Sequence, residues 1–153
     1  MIESTKLVFL GGSCNPTTWR KDIAIPLLEK AFIPYYNPQV DDWHEGLVAI
    51  EASAKEQASV LLFVIDAQTR AIASMLEATE YIVSGRRVVL VVQDMADGTA
   101  ILDNKGFQVL TIVTGTQLRD LNRARAYLRD VAKRHNALVC SDVHAAIEAI
   151  KQM

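Results

Sequence analysis

The strongest indication of the fold is the run Val60-Leu61-Leu62-Phe63-Val64-Ile65, in which six consecutive apolar residues are followed by Asp66. Two similar runs occur elsewhere, Leu7-Val8-Phe9-Leu10 before Gly11-Gly12 and Val88-Val89-Leu90-Val91-Val92. Uninterrupted runs rich in β-branched residues are typical of strands buried on both faces of a parallel sheet. We therefore expect a sheet that helices cover on both sides.

Helical spacing fills the intervals between these strands. Leu47, Ile50, Ala54 and Ala58 recur every three to four residues and predict a helix over 43–57, with Glu51 and Lys55 paired on its outer face. Further helices are predicted over 18–30, where Pro26 must kink or restart the helix, over 74–84, from Thr116 onward, and over 142–151. Weaker strands are predicted over 33–37, at a sheet edge, and 137–140, and the segment 93–107 reads as a lid or an irregular excursion. The whole pattern predicts one α/β domain over 1–153, a doubly wound, mostly parallel five-stranded sheet with helices on both faces.

Composition narrows the classes of function. The chain has 153 residues, half of them apolar, and a formal net charge of -2, which argues against intrinsic disorder and against nucleic acid as the main partner. No apolar run approaches the roughly 20 residues of a membrane span, and Met1 to Lys6 lack the features of a signal peptide. We expect a cytoplasmic protein without a membrane partner, in which Cys14 and Cys140 stay reduced.

The ends of the strands carry the candidate binding residues, because ligands of such sheets bind outside the carboxyl ends. These residues are Gly11-Gly12-Ser13-Cys14-Asn15, Asn37-Pro38-Gln39, Asp66 and Gln93-Asp94. The paired glycines would let a ligand approach the backbone closely, and a plain tight turn would explain them equally well. Their spacing matches no standard phosphate-binding motif.

A second candidate is Glu77, which lies at the start of the third predicted helix, near the strand that ends at Asp66. An acidic residue in a first helical turn is held ionised by the helix dipole and suits nucleophilic attack. The sequence Ser74-Met75-Leu76-Glu77 also fits a capping box, in which Glu77 only satisfies the backbone of Ser74. The pattern alone leaves both readings open.

The histidines offer no metal site. His44, His135 and His144 show no pairing at helical spacing, and Cys140 with His144 lacks further ligands. We predict neither a metal nor a cofactor.

Several of these pieces together resemble the nucleoside 2-deoxyribosyltransferase family, most of all its shorter, divergent branch. The resemblance covers about residues 6 to 92, and it depends on the following elements in order: Val8-Phe9-Leu10-Gly11-Gly12, Trp19-Arg20, Tyr35-Tyr36-Asn37-Pro38-Gln39-Val40, the strand that ends at Asp66, and Ser74-Met75-Leu76-Glu77 before Gly85. It implies that Glu77 is the nucleophile that attacks the anomeric carbon of a 2′-deoxynucleoside and forms a deoxyribosyl ester, from which a second nucleobase takes the sugar.

The resemblance also implies roles for the other residues. Asp66 would be the acid and base, Asn37 and Gln39 would bind the nucleobase edge beside Pro38, and Gly11, Gly12, Ser13 and Cys14 would line the sugar and its 5′ end. Ser74 and Met75 would lie beside the sugar, where Met75 would exclude a ribose hydroxyl. Arg70 would bind a 5′-phosphate or a base carbonyl, or else lie in solvent. Family members form dimers or hexamers, so the resemblance implies a homo-oligomer.

The chain departs from the family pattern at two positions. Phe9 stands where typical members carry a tyrosine near the nucleophile, and Thr69-Arg70-Ala71 stands where they carry a second aspartate. Trp19 and Trp43 fit either nucleobase stacking or packing. Three functions therefore stay open: deoxyribosyl transfer between nucleobases, hydrolysis of a nucleoside or nucleotide by the same glutamate, and nucleoside binding without chemistry. A scaffold protein is the remaining alternative.

Overall fold

The computed structural model describes residues 6–153, and within that range it contains seven strands and five α-helices. The strands are β1 (Val8–Gly12), β2 (Tyr35–Tyr36), β3 (Val60–Ile65), β4 (Val88–Val92), β5 (Thr99–Leu102), β6 (Val109–Val113) and β7 (Leu138–Cys140). The helices are α1 (Ile25–Lys30), α2 (Leu47–Gln57), α3 (Ile72–Val83), α4 (Gly115–Arg134) and α5 (Val143–Lys151). A π-helical turn, Arg20–Ala24, leads directly into α1, and Pro26 lies in the first turn of that helix. The predicted lack of a signal peptide concerns residues that lie mostly outside the described range.

Five strands form one parallel sheet in the order β2-β1-β3-β4-β7, which confirms the predicted doubly wound α/β fold. The chain leaves β1 toward β2 on one side and then crosses to β3 on the other side. In such sheets the crevice at the carboxyl ends of the two strands that flank this reversal is the usual binding position. We therefore expect a binding site at the carboxyl ends of β1 and β3.

Two apolar cores lie on opposite faces of the sheet because successive strand residues point to opposite sides. On one face Val8, Leu10 and Leu62 pack against the π-helical turn, α1 and α5. On the other face Phe9 and Phe63 pack against α2, α3 and α4. Both faces of β3 are thus covered, which explains its unbroken apolar sequence.

Helix α2 differs from the sequence prediction in its start and in its rotation. It begins at Leu47 rather than near Trp43, and Ile50, predicted to be buried, is 54% exposed. The predicted outer pair is turned inward instead: Lys55 is buried and Glu51 is half-buried. The prediction of an outward Glu51–Lys55 pair is therefore wrong, because the helix buries one face with two charged residues that find partners on other elements.

The segment 93–107 is not the irregular excursion that the sequence allowed. It contains β5, which pairs with β6 in an antiparallel hairpin. Met95, Ile101 and Val113 of this region pack against Leu121 of α4 in a small third core. The start of α4 also differs from the prediction, since Thr114 rather than Thr116 is its N-cap residue and Thr114 makes no side-chain cap.

None of the helices within residues 6–153 has the length and apolar character that crossing a membrane requires.

The close contact of Gly12 with β3 predicts a loss of stability when a side chain is added at this position. A Cβ on Gly12 would lie 2.1 Å from the carbonyl oxygen of Val64, and Gly12 has a φ of +114°. Gly12→Ala should therefore lower the free energy of unfolding in urea by about 3 kcal/mol or more. Gly85 has a φ of +83° with nothing within 4 Å of a Cβ, so Gly85→Ala should cost only about 1 kcal/mol. Equal losses in the two variants would contradict the close contact.

Candidate active site

A cavity of about 430 Å³ opens at the carboxyl ends of β1 and β3, as the sheet topology predicts. Its walls come from β1 and the loop that follows it, from the segment before α2, from α2 itself and from the start of α3. The lining residues are Phe9, Gly11, Gly12, Ser13, Cys14, Asn15, Arg20, Pro38, Val40, Trp43, Glu51, Thr69, Ala71, Ile72, Ala73, Ser74 and Glu77. Its size is typical of small-molecule sites.

The floor of the cavity is the end of β1. Gly11 and Gly12 are the last two residues of this strand and pair with Phe63 and Val64 of β3, so they do not form the separate tight turn that the sequence allowed. A Cβ on Gly11 would lie 2.6 Å from the Phe63 ring. Both glycines are therefore needed for the strands to approach.

Arg20 holds the loop after β1 in place. Its guanidinium is buried, donating from Nε to the carbonyl of Leu10 at 2.8 Å, from Nη1 to Ser13 at 2.7 Å and from Nη2 to Gly12 at 3.2 Å. It also lies 4.3 Å from the centre of the Trp19 ring. Burial lowers the pKa of Arg20 from its usual value, while nearby acidic groups, among them Cys14 and Glu51, oppose that shift.

Asp66 organises the neighbouring loop. Its Oδ1 accepts hydrogen bonds from the backbone N–H groups of Gln68 and Thr69 at 3.1 and 3.2 Å and from the Thr69 hydroxyl at 3.0 Å. The Ser13 hydroxyl accepts from the backbone N–H of Asp66 and lies 2.8 Å from the Thr69 hydroxyl. Asp66 thus ties the end of β3 to the start of α3 and does not line the cavity.

A second buried arginine braces the same loop from α4. Arg125 donates to the carbonyls of Asp66 at 2.8 Å, Thr69 at 2.9 Å and Gln93 at 2.9 Å. It therefore joins the ends of β3 and β4. Arg125 could not be separated from the exposed arginines of α4 by its position in the helix, since only its contacts distinguish it.

Glu77 lies on the cavity wall, but its local setting differs from both sequence readings. Helix α3 begins at Ile72, so Glu77 lies in its second turn, and the helix has no side-chain cap at its start. The capping-box reading is therefore wrong, and the helix dipole, which acts within the first turn, contributes little. Glu77 Oε2 instead accepts a hydrogen bond from Lys55 Nζ at 3.0 Å.

Glu51 faces the same cavity from α2. Loss of water around the carboxyl raises the pKa of Glu51, the negative charge of Glu77 raises it further, and Lys55 and Arg20 oppose the shift. Two carboxyl groups from two different helices thus share one cavity. A carboxyl that keeps its proton to higher pH beside one that is paired with a cation is the arrangement expected of an acid and a nucleophile.

Cys14 also lines the cavity. Its thiol donates to the carbonyl of Gly12 at 3.4 Å. Desolvation raises the pKa of Cys14 despite the opposing effect of Arg20, which keeps the group a neutral thiol. Cys14 is therefore a wall of the site rather than a nucleophile.

The predicted site residues divide into two groups. Glu77, Gly11, Gly12, Ser13, Cys14, Pro38 and Ser74 line the cavity, whereas Asp66, Asn37, Gln39, Arg70 and Met75 do not. Gln39 donates to Asn15 Oδ1 at 2.7 Å, and with Asn37 it lines a polar pocket that adjoins the cavity at Asn15. Met75 is buried in the core beneath α3.

Several residues at the site were not predicted, among them Glu51 and Ile72 on the cavity wall and Lys55, which contacts Glu77. Glu51 and Lys55 carried a detectable signal, a charged pair at helical spacing, but the wrong face of α2 was assigned to them. Trp43 is 60% exposed at the rim, and Ile72 is 55% exposed near it. Trp19, by contrast, is buried and donates to the Ser13 carbonyl at 2.9 Å.

Within residues 6–153 no group of three or more histidine, cysteine, aspartate or glutamate side chains could hold a metal ion.

The contacts of Arg20 predict a structural cost for its removal. Arg20→Met removes three hydrogen bonds to buried carbonyls, of which that of Ser13 keeps a donor in Trp19, and should lower the free energy of unfolding by about 2–4 kcal/mol. Arg123→Met, on the exposed side of α4, should change it by less than about 0.5 kcal/mol. Urea unfolding of both variants measures the difference, and an Arg20 variant as stable as the control would exclude the bracing role.

The comparisons with known proteins agree with this fold. No curated protein matches the chain. Among solved structures, a conserved protein from Enterococcus faecalis V583 superposes with a TM-score of 0.59 at 17% identity, covering 97% of this chain and 99% of that one, which shows a shared fold. A family model described as nucleoside 2-deoxyribosyltransferase like matches residues 5–95, more than half of the chain and all of the elements that form the cavity. The chain therefore belongs to the nucleoside 2-deoxyribosyltransferase-like family.

Proposed function

We propose that the protein is a nucleoside 2-deoxyribosyltransferase, which moves 2-deoxyribose between nucleobases through a covalent ester on Glu77. The observation that carries the proposal is the pair Glu77 and Glu51, which face one cavity at the switch point of the sheet from α3 and α2. Membership of the family supports the same reaction class. The substrates would be 2′-deoxynucleosides and free nucleobases, and no metal or cofactor takes part.

In the first step a carboxylate oxygen of Glu77 attacks the anomeric carbon as the bond from that carbon to the base nitrogen breaks. The electron pair of the breaking bond goes to the base, and the transition state resembles an oxocarbenium ion. A proton must reach the departing base at the same time. We assign that proton to Glu51 rather than to Asp66, because Glu51 lines the cavity while the Asp66 carboxylate is occupied by the loop.

In the second step an incoming nucleobase attacks the same carbon and the ester bond to Glu77 breaks. Glu51 takes the proton from the attacking nitrogen and so returns to its starting state. Two inversions at one carbon retain the configuration of the nucleoside, as in retaining glycosidases.

The remaining walls suit the two halves of a nucleoside. The small polar surface of Gly11, Gly12, Ser13 and Cys14 fits a sugar, since it presents backbone groups without bulky side chains. The apolar rim with Trp43, Val40 and Ile72 fits the flat face of a nucleobase. Asn37 and Gln39, whose amides serve loop contacts, reach only the adjoining pocket.

Hydrolysis by the same glutamate is the second candidate. Glu77 is 35% exposed, so water has access to the carbon that its ester would hold. A nucleoside or nucleotide N-glycosidase would release free base and free sugar without exchange. The assay below separates the two outcomes.

Assembly into a homo-oligomer and location in the cytoplasm stay predictions. The exposed apolar residues Phe107, Val109, Leu110 and Ile112 on and beside β6 support an interface there. Nucleotide salvage is the process that such a reaction would serve.

The nucleophile is tested by base exchange. Deoxyinosine or thymidine is incubated with adenine or cytosine, and the nucleosides are followed by liquid chromatography. The wild type should form the new deoxynucleoside, and Glu77→Gln should lower the rate by about 10⁴-fold or more because no covalent ester can form. Mass spectrometry of the wild type with donor alone should detect one added deoxyribosyl group.

The matched control for that experiment is Glu80→Gln, an exposed glutamate on the same helix, which should keep the wild-type rate. Release of base without exchange, lost in Glu77→Gln, would assign the hydrolase instead. No reaction with any deoxynucleoside or its 5′-phosphate would reject both enzymes in favour of a binding module.

The acid role of Glu51 has its own signature in pH. Because the pKa of Glu51 is raised, the rate of base release should persist to higher pH than an ordinary glutamate would allow and then fall as Glu51 loses its proton. Glu51→Gln should lower base release by about 100- to 1000-fold and abolish this fall. Steady-state rates across pH measure both effects.

The control donor is 7-methyl-2′-deoxyguanosine, whose base is already cationic and leaves without a proton. Its release should be nearly insensitive to Glu51→Gln. An equal loss with both donors would remove Glu51 from the acid role, and Glu56→Gln on the exposed side of α2 controls for nonspecific effects.

A further inference from the structure

Lys55 is a charged residue that contacts Glu77 and that the reaction as described does not use. It lies in the last turn of α2 with only 7% of its surface exposed. An ammonium group loses its hydration there, which is costly unless other groups compensate. The groups that surround Lys55 must therefore compensate its buried charge.

Three groups surround the ammonium. Glu77 Oε2 lies 3.0 Å from Lys55 Nζ, and the centres of the Phe9 and Tyr81 rings lie 5.7 and 5.3 Å away. The two rings attract the cation through their faces. Glu77 is thus the only carboxylate within 4 Å of the ammonium among the residues that the structure describes.

The backbone of Lys55 is fixed as well. Arg86 Nη2 donates to the carbonyls of Lys55 and Ala58, both at 2.7 Å. This contact anchors the end of α2 to the residues that precede β4. The backbone from which the Lys55 side chain extends is therefore fixed by the fold.

The ion pair with Lys55 makes the two carboxylate oxygens of Glu77 inequivalent. Oε2 is held by Lys55, while Oε1 has no hydrogen-bond partner within residues 6–153. A carboxylate held by one oxygen keeps a fixed orientation and presents the other for attack. Phe9 lines the cavity beside this pair and carries no hydroxyl with which to orient the nucleophile.

We propose that Lys55 is the positioning residue of this active site: its ammonium fixes Glu77 for attack and then, once Glu77 is an ester, turns its charge toward Glu51. The proposal rests on the proposed function. Formation of the ester removes the negative charge of Glu77, so Lys55 loses its counterion. Glu51, one helical turn earlier on α2, is the remaining carboxyl group of the cavity.

The electrostatics of Glu51 support this second role. Desolvation and the charge of Glu77 raise the pKa of Glu51, and Lys55 and Arg20 lower it; Cys14, on the loop after β1, is neutral. Esterification removes the effect of Glu77 and leaves that of Lys55. The pKa of Glu51 should therefore fall between the two steps, so that it donates a proton in the first and accepts one in the second.

The proton and electron balance is complete within the site. In the first step the Glu77 oxygen bonds to the anomeric carbon, the bond to the base breaks with its electron pair on the base, and Glu51 supplies the proton. In the second step the acceptor nitrogen bonds to that carbon, the ester bond breaks with its pair returning to Glu77, and Glu51 receives the acceptor's proton.

The test compares Lys55→Met, Lys55→Arg and the control Lys133→Met, an exposed lysine of α4, in the base-exchange assay. Lys55→Met should lower kcat by about 100-fold with KM changed less than about twofold, because the change acts on the nucleophile and not on substrate binding. Lys55→Arg should recover at least about a tenfold part of that loss, and Lys133→Met should match the wild type.

The second half-reaction supplies a readout that a structural role would not move. With the ester preformed and acceptor base added, the rate should rise with pH as Glu51 becomes ionised. In Lys55→Met this rise should move to higher pH, because the positive charge that favours ionised Glu51 is gone. If Lys55→Met does not fold, Lys55→Arg and Lys55→Gln give the same comparison, since Gln keeps a hydrogen-bond donor without the charge.

The possible results distinguish a failure of the role of Lys55 from a failure of the proposed function. A wild type that exchanges base, together with a Lys55→Met kcat within threefold of it, would overturn the role of Lys55 and leave the proposed function intact. A loss confined to KM, or a half-reaction profile that does not move, would overturn it too. A wild type without exchange or hydrolysis on any deoxynucleoside would overturn both proposals.

Discussion

The close approach of β1 to β3 is the constraint on which the site depends. Gly12 lies against the backbone of Val64, where no side chain fits, and the strand ends open into the cavity at this point. Because the strands meet so tightly, the loop after β1 must turn at once and expose its carbonyls inward. Arg20 satisfies these carbonyls, and a cavity floor of backbone groups results.

Buried cations stabilise the segments around the cavity in two different ways. Arg20 and Arg125 donate to backbone carbonyls and fix loops, whereas Lys55 pairs with a carboxylate that reaches the cavity. Carbonyl dipoles compensate a buried guanidinium because its five donors spread over several acceptors. An ammonium concentrates its charge at one point, which suits the orientation of a single carboxylate. The guanidinium groups therefore lie beside loop carbonyls, and the ammonium group lies beside a single carboxylate.

The polar partner of Glu77 does not come from the positions that the family pattern led us to expect. Phe9 packs in a stack with Tyr36, their ring centres 5.6 Å apart, and Ala71 takes the left-handed position before α3 with a φ of +54°. Neither can contact Glu77 through a polar side chain. The polar partners come instead from α2, whose inner face carries Glu51 and Lys55 between alanines. A helix that was expected to be ordinary packing thus supplies half of the site's charge.

Local patterns were enough to predict the layers of the sheet, the strands β3 and β4, and the position of Glu77 at the cavity, because apolar runs and strand ends can be read from neighbouring residues. Tertiary structure decided which face of α2 turns inward, since its alanines and charges fit two rotations and only the pairing of Lys55 with Glu77 separates them. It also decided that Asp66 organises a loop, that Arg125 is buried among exposed arginines, and that residues 99–113 form a hairpin. The pairing of Lys55 with Glu77 and the contact of Arg125 with Asp66 join residues more than 20 positions apart, which no local spacing records.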